Sequence, residues 1–224
     1  MIDILYEDKQ IIVCIKPPGM LSASGKEETS VDMVLQKHRE EAGEAGFIGV
    51  AHRLDRGTGG LMVFAKTQAA AAALSQEIQS GMFQKEYLAV VHGVPDNSAG
   101  IYTDLLFKDA KKNKSFVVQR ERKGVRKASL EYKVLETAET RHGVVSLIRI
   151  RLQTGRTHQI RVQFSSRKMP LLGDGKYGSK DNGCQIALWS CRLAFAHPKN
   201  QKKIDMEASP KAEYPWNLFS CLNL

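Results

Sequence analysis

The sequence predicts an α+β fold built on a large, mainly antiparallel sheet. Three observations lead there. Strand-like segments outnumber helix-like ones along the 224 residues. The two kinds do not alternate strictly, as a parallel βαβ array would require. Hydrophobic residues make up 42% of the chain, enough for a sizeable core. The length fits one large domain, so residues 1–224 are read as a single domain.

The elements follow in order. Residues 2–6 and 11–15 are rich in β-branched and large apolar side chains, and the polar Glu7-Asp8-Lys9-Gln10 between them reads as a hairpin turn. Lys16-Pro17-Pro18-Gly19 stops the second strand, since proline cannot donate to a ladder. Thr29 or Ser30 is placed to cap a helix over residues 31–41, with Val31, Val34, Leu35 and His38 on one side and Gly43 and Gly46 beyond its end. Residues 60–66 (GLMVFAK) read as a buried strand, and Thr67 caps an Ala-rich helix over 68–79 that Gly81 stops. Residues 85–93 form another strand; 113–126 is a basic, polar hairpin or arm; 130–135 and 144–152 nearly alternate and read as strands. Residues 157–165 (THQIRVQFS) read as a helix with Ile160 and Phe164 on its inner face. Residues 170–178 are a Gly-rich loop, and 185–196 fit helix or strand equally well. The tail reads as polar until Tyr214-Pro215-Trp216, whose aromatic rings are expected on the body.

Charge narrows the partners. The chain holds 33 Lys+Arg against 24 Asp+Glu, a net +9. Such an excess favours a polyanion, because each phosphate neutralised by Lys or Arg releases counterions. Cys14, Cys184, Cys191 and Cys221 form no C-x-x-C pair, which argues against a zinc site or disulfide framework and for a reducing compartment. Residues 1–6 open no targeting pattern, and no apolar run approaches a bilayer span, so the expected setting is the cytoplasm. No P-loop, dinucleotide fingerprint or metal-ligand spacing is present, and no cofactor or metal is expected. His38, His92, His142 and His197 show no ligand spacing and receive no role.

The most informative segment is His52-Arg53-Leu54-Asp55-Arg56-Gly57-Thr58-Gly59-Gly60, followed by a buried strand. It sets a carboxylate between two arginines in a glycine-rich loop. The cations favour the ionised form of Asp55, and an ionised, oriented carboxylate can act as nucleophile, base or electrostatic stabiliser. For an arbitrary Asp in a loop, an ion pair that fixes the turn is the commoner use. Here the spacing H-R-L-D-x-x-T-x-G before a G-L-x-x-x-A-K strand resembles the nucleophile motif of the RluA-type pseudouridine synthases. Lys85-Glu86-Tyr87, residues 154–162 (TGRTHQIRV), residues 170–178 (PLLGDGKYG) and the opening Tyr6-Glu7-Asp8 with Lys16-Pro17-Pro18-Gly19 agree with further motifs of that family, in its order. Two positions depart from it: Gly59 stands where Ser is usual, and Gln163 where His often follows Arg-Val. The S4-type module of many relatives is expected to be missing, since the catalytic pattern begins almost at Met1.

The resemblance implies a pseudouridine-synthase-like fold with a central basic active-site cleft. It implies a cofactor-free isomerase that acts on structured rRNA or tRNA stem-loops, here expected as a monomer. Asp55 would be the nucleophile, attacking either ribose C1′ or the base of a flipped-out uridine. Tyr87 would stack on the base or move a proton; by itself it reads as a half-buried strand tyrosine. Arg161 would pair with Asp55; by itself it reads as a surface arginine on an amphipathic helix. Arg53, Arg56, Arg156 and His158 would contact RNA or support the loop. Lys111, Lys112, Lys114, Arg120, Arg122, Lys123, Arg126 and Lys127 read as an RNA-gripping arm or a solvated hairpin. A non-catalytic RNA-binding protein and a metal-dependent phosphodiesterase are the competing readings. The second needs a carboxylate or histidine cluster near Asp55, and the sequence shows none.

Overall fold

The computed structural model describes residues 2–23, 29–141, 143–181 and 183–222. Their strands, in chain order, are β1 (Asp3–Glu7), β2 (Ile11–Lys16), β3 (Gly49–Val50), β4 (Gly59–Ala65), β5 (Gln84–His92), β6 (Ala99–Asp109), β7 (Lys114–Val118), β8 (Val125–Thr140), β9 (Gly143–Leu152), β10 (Leu188–Ala196) and β11 (Lys203–Glu207). The helices are α1 (Val31–Glu41), α2 (Gln68–Ser80) and α3 (Gln159–Ser165). The chain forms two compact units, Met1–Lys85 with Trp189–Ser209, and Glu86–Leu188 with Pro210–Leu224.

In the first unit the strand order is β1-β2-β4-β10, with β11 on β10 and β3 on β4. All these pairs are antiparallel except β4 with β10, which run parallel where Trp189 meets Gly59 and Ser190 meets Gly60. Every residue of β4 is buried, as its unbroken apolar run requires. Leu61 and Val63 from β4 join Ile11, Val13, Leu74, Leu193 and Phe195 in one core. Thr67 caps α2 by accepting the Ala70 N–H at 3.1 Å, and Gly81 ends it in the left-handed region at φ 77°.

In the second unit the order is β5-β9-β8-β6-β7, antiparallel throughout. Tyr102, Tyr132 and Phe164 cluster with ring centroids 4.5–6.0 Å apart, so α3 joins the sheet through aromatic contacts.

The expected α+β class with a mainly antiparallel sheet holds in both units, and five local readings change. The ambiguous stretch 185–196 contributes strand β10. Strand β6 was missed because residues 99–109 are half-exposed and lack a continuous apolar run. Strand β11 lies inside the stretch read as a polar tail; it alternates exposed and half-buried residues along β10. In α1 the buried partner of Val31 and Leu35 is Arg39, whereas His38 is exposed. The Arg39 guanidinium reaches the carbonyls of Phe47 and Lys66, which buries a side chain whose charge argues for the outer face. Helix α3 begins at Gln159, two residues later than expected, because His158 is left-handed at φ 54°.

Candidate active site

The turn that carries Asp55 joins β3 to β4 and is held through its main chain. Thr58 N–H donates to the Asp55 carbonyl at 3.0 Å and closes the turn. The Ser22 hydroxyl donates to Leu54 O at 2.8 Å and accepts Leu54 N–H at 3.0 Å. Gly19 N–H donates to Arg56 O at 2.8 Å, and Arg56 Nε returns a bond to Gly19 O at 3.0 Å. Lys16 completes the attachment. Its fully buried ammonium donates to Arg56 O (3.1 Å), Pro17 O (2.9 Å) and Met20 O (2.7 Å), one bond for each proton. Burial pushes the Lys16 pKa down to about 8, and the Asp55 carboxylate opposes that fall. The Lys-Pro-Pro-Gly segment, read from sequence only as a strand stop, is thus the seat of the Asp55 turn.

Asp55 is half-buried, and Arg53 and Arg56 on either side are exposed. His52 is buried against Phe83, with ring centroids 5.5 Å apart, and its Nε2 accepts the Val63 N–H at 3.2 Å. Burial first, then Lys85, pushes the His52 pKa down to about 3, so it is neutral at physiological pH.

The two glycines after the turn are spacing requirements. Gly60 has φ 110°, and a Cβ there would lie 2.3 Å from Ser190 O. A Cβ on Gly59 would lie 2.6 and 2.7 Å from the Trp189 ring and 2.9 Å from Pro18. The Trp189 indole occupies the space that a side chain at position 59 would need. Its Nε1 is tied to Ala208 O at 2.8 Å.

The second unit holds the other expected residues. Tyr87 on β5 is buried, opposite Ile150 of β9. Its neighbour Glu86 pairs with Arg149 at 2.6 Å. Arg161 on α3 is buried and grips Asp174 by a two-pronged bond, Nε to Oδ2 at 2.7 Å and Nη2 to Oδ1 at 2.8 Å. That fork uses two of the five guanidinium donors. The Tyr177 ring lies 5.0 Å from the guanidinium carbon. The Tyr177 hydroxyl accepts the Ser115 N–H at 2.8 Å and lies 3.0 Å from His158 Nδ1. Asp174 was not singled out in the sequence; its signal was a lone acid between glycines in Gly173-Asp174-Gly175.

Arg156 is exposed, and its Nε donates to Lys127 O at 3.1 Å. His158 is buried, which favours support of the loop over contact with a ligand. The basic stretch lies on β7, its flanking turns and the start of β8, with Lys114 over the Tyr177 ring at 4.8 Å and Arg122 over Phe107 at 4.7 Å. His142 lies outside the described residues. Among the described residues no group of three His, Cys, Asp or Glu is placed to hold a metal, and no helix is long and apolar enough to cross a membrane.

A fold of this kind, with an aspartate turn seated on a Lys-Pro-Pro-Gly segment, defines a class that comparison with known proteins names. The family model described as RNA pseudouridylate synthase matches residues 10–166, and the chain belongs to that family, in its RluA branch. It is 34% identical over 238 residues to "Ribosomal large subunit pseudouridine synthase D" of Neisseria meningitidis (serogroup A), a match covering 100% of this chain and 62% of that protein. An uncharacterised RNA pseudouridine synthase of Bacillus subtilis is 34% identical over 92% of this chain and 68% of its own. The chain thus spans under two thirds of the Neisseria relative's length. Among solved structures, human RNA pseudouridylate synthase domain-containing protein 1 superposes with a TM-score of 0.77 at 22% identity, covering 99% of this chain and 87% of that one. This likeness establishes the pseudouridine synthase fold.

Proposed function

We propose that the chain isomerises uridine to pseudouridine in structured RNA, with Asp55 as the nucleophile. The observation that carries the reading is the seating of the Asp55 turn: a half-buried carboxylate in a turn held by Lys16, Ser22 and Gly19, with exposed guanidinium groups on both sides. The turn is held by bonds within the chain itself, which suits a nucleophile that must meet an extruded nucleotide. Asp55 attacks the nucleotide, the N1–C1′ bond breaks, the ring turns, C5 bonds to C1′, and the bond to Asp55 breaks to return the free carboxylate. The C5 proton leaves and N1 gains one, so no atom is lost overall. In this reading Tyr87 lies against the base or serves that proton transfer. Asp174 anchors one edge of Arg161, and this reading assigns another edge to Asp55. Arg53, Arg56 and Arg156 meet phosphates, for which the guanidinium fork is suited.

The names of the Neisseria relatives favour large-subunit ribosomal RNA over transfer RNA as the substrate. The same reading takes the protein as a cytoplasmic monomer. The decisive experiment supplies catalytic amounts of protein to a stem-loop RNA and counts pseudouridine formed per enzyme. Many turnovers are expected, and Asp55→Asn should lose about 10³-fold or more while keeping RNA affinity. Full turnover by that variant removes Asp55 from the nucleophile role. Tight binding by the wild type with no conversion returns the chain to a binding-only reading. Tyr87→Phe should slow the reaction about 10–100-fold with affinity nearly unchanged; an unaltered rate takes the hydroxyl out of the chemistry.

A further inference from the structure

The second unit contains a cleft of about 440 Å³ whose lining includes His92, Ser165, Lys168, Tyr177 and Lys180 and no carboxylate. Both lysines are exposed, and neither has an ion-pair partner among the described residues. Lys168 follows α3 at φ 63°, in the left-handed region, where its N–H bonds Ser165 O at 2.9 Å and the next N–H, of Met169, reaches back to Phe164 O at 3.1 Å. This is the helix-ending position that glycine fills with least strain, and a lysine there adopts a backbone that L-residues disfavour. A side chain held at such a backbone position directs attention to what it can bind.

The other polar groups of the lining are already engaged. The Ser165 hydroxyl donates to Tyr177 O at 2.7 Å, the Tyr177 hydroxyl serves Ser115 and His158, and His92 Nε2 lies 3.0 Å from Ser179 Oγ. What the cleft offers a ligand is therefore two ammonium groups, mobile point charges without the directional donors that read a base. We propose that Lys168 and Lys180 form a docking site for an RNA backbone phosphate. It contributes affinity and placement and no sequence readout. The site rests on the reading of the chain as an RNA-modifying enzyme.

The test is equilibrium binding of a labelled stem-loop RNA across a salt series, with thermal melting of each protein alongside. Lys168→Gly is expected to melt at or above the wild-type temperature, because glycine relieves the left-handed backbone. It should nevertheless bind the RNA about 3–10-fold more weakly near 0.1 M salt, as should Lys180→Gln. The double variant should shallow the salt dependence by about two, one for each lysine. Lys37→Gln, on α1 of the first unit beside Glu41, serves as the control and should leave affinity unchanged. If the wild type binds and the double variant matches it in affinity and salt slope, this site is overturned alone. A loss of affinity that tracks a fall in melting temperature in Lys168→Gly also overturns it. A wild type that ignores the RNA overturns the functional reading, and this site with it.

Discussion

The turn around Asp55 and the surroundings of Arg161 both hold a charged side chain in a fixed place, by opposite means. Around Asp55 the grip is on the main chain: Lys16, Ser22 and Gly19 bond the backbone of residues 54 and 56, and Gly60 presses against the backbone of Ser190. Around Arg161 the grip is on the side chain, through the Asp174 carboxylate and the Tyr177 ring. A main-chain grip leaves the side chain exchangeable at little cost to the fold, but tolerates no added atom where backbones meet. A side-chain grip tolerates small changes in volume, but not loss of the charge it was built to balance.

The sharpest way to break this contrast is Asp174→Ala. It removes the carboxylate from a buried guanidinium and should cost about 3–5 kcal/mol in urea unfolding. A loss within 0.5 kcal/mol, roughly that of a surface substitution, would mean that the pair is not what holds Arg161.

Acid should find the next weakness, on the Asp55 side. His52 is neutral when folded, since burial takes its pKa from 6.5 to about 3. The unfolded chain binds a proton near 6.5 that the native state refuses until about 3. The stability from this group is thus fully present above about 6.5 and falls as pH drops towards 3. Between pH 7 and about 4.5 the loss should be about 2–3 kcal/mol, and His52→Gln, which keeps an acceptor for Val63, should flatten it. An equal acid loss in the variant would trace the effect to other groups.

The smallest expected effect is Gly59→Ser, which sets a Cβ against the Trp189 ring. Its Cβ would meet Trp189 at 2.6 Å, so it should cost about 1–3 kcal/mol here. Gly59→Ser combined with Trp189→Leu should recover most of that loss. Additive costs in the double variant would show that the indole does not set the choice of glycine.

Much of this protein was legible before its structure. Helix α2 was bounded at both ends by Thr67 and Gly81, because capping chemistry is local. Strand β4 followed from an apolar run too short for a helix and headed by glycines. The Asp55 turn followed from spacing within nine residues, and the family from several motifs standing in one order along the chain. Strands β6 and β11 did not, because half-exposed strands carry mixed side chains and are stabilised by neighbours far along the chain. The start of α3 was misplaced because nothing in Thr157-His158 announces a left-handed histidine.

The sequence by itself determined the elements whose signals lie within one or two turns of chain, the basic character of the molecule, and the aspartate on which the chemistry is read. Tertiary structure alone decided that Lys16 is buried beneath the turn 40 residues away, that Asp174 grips Arg161, and that Trp189 leaves room only for glycine at position 59. The reason is physical: periodicity and capping report contacts between near neighbours. A buried charge or a steric exclusion is set by groups that meet only once the chain has closed on itself.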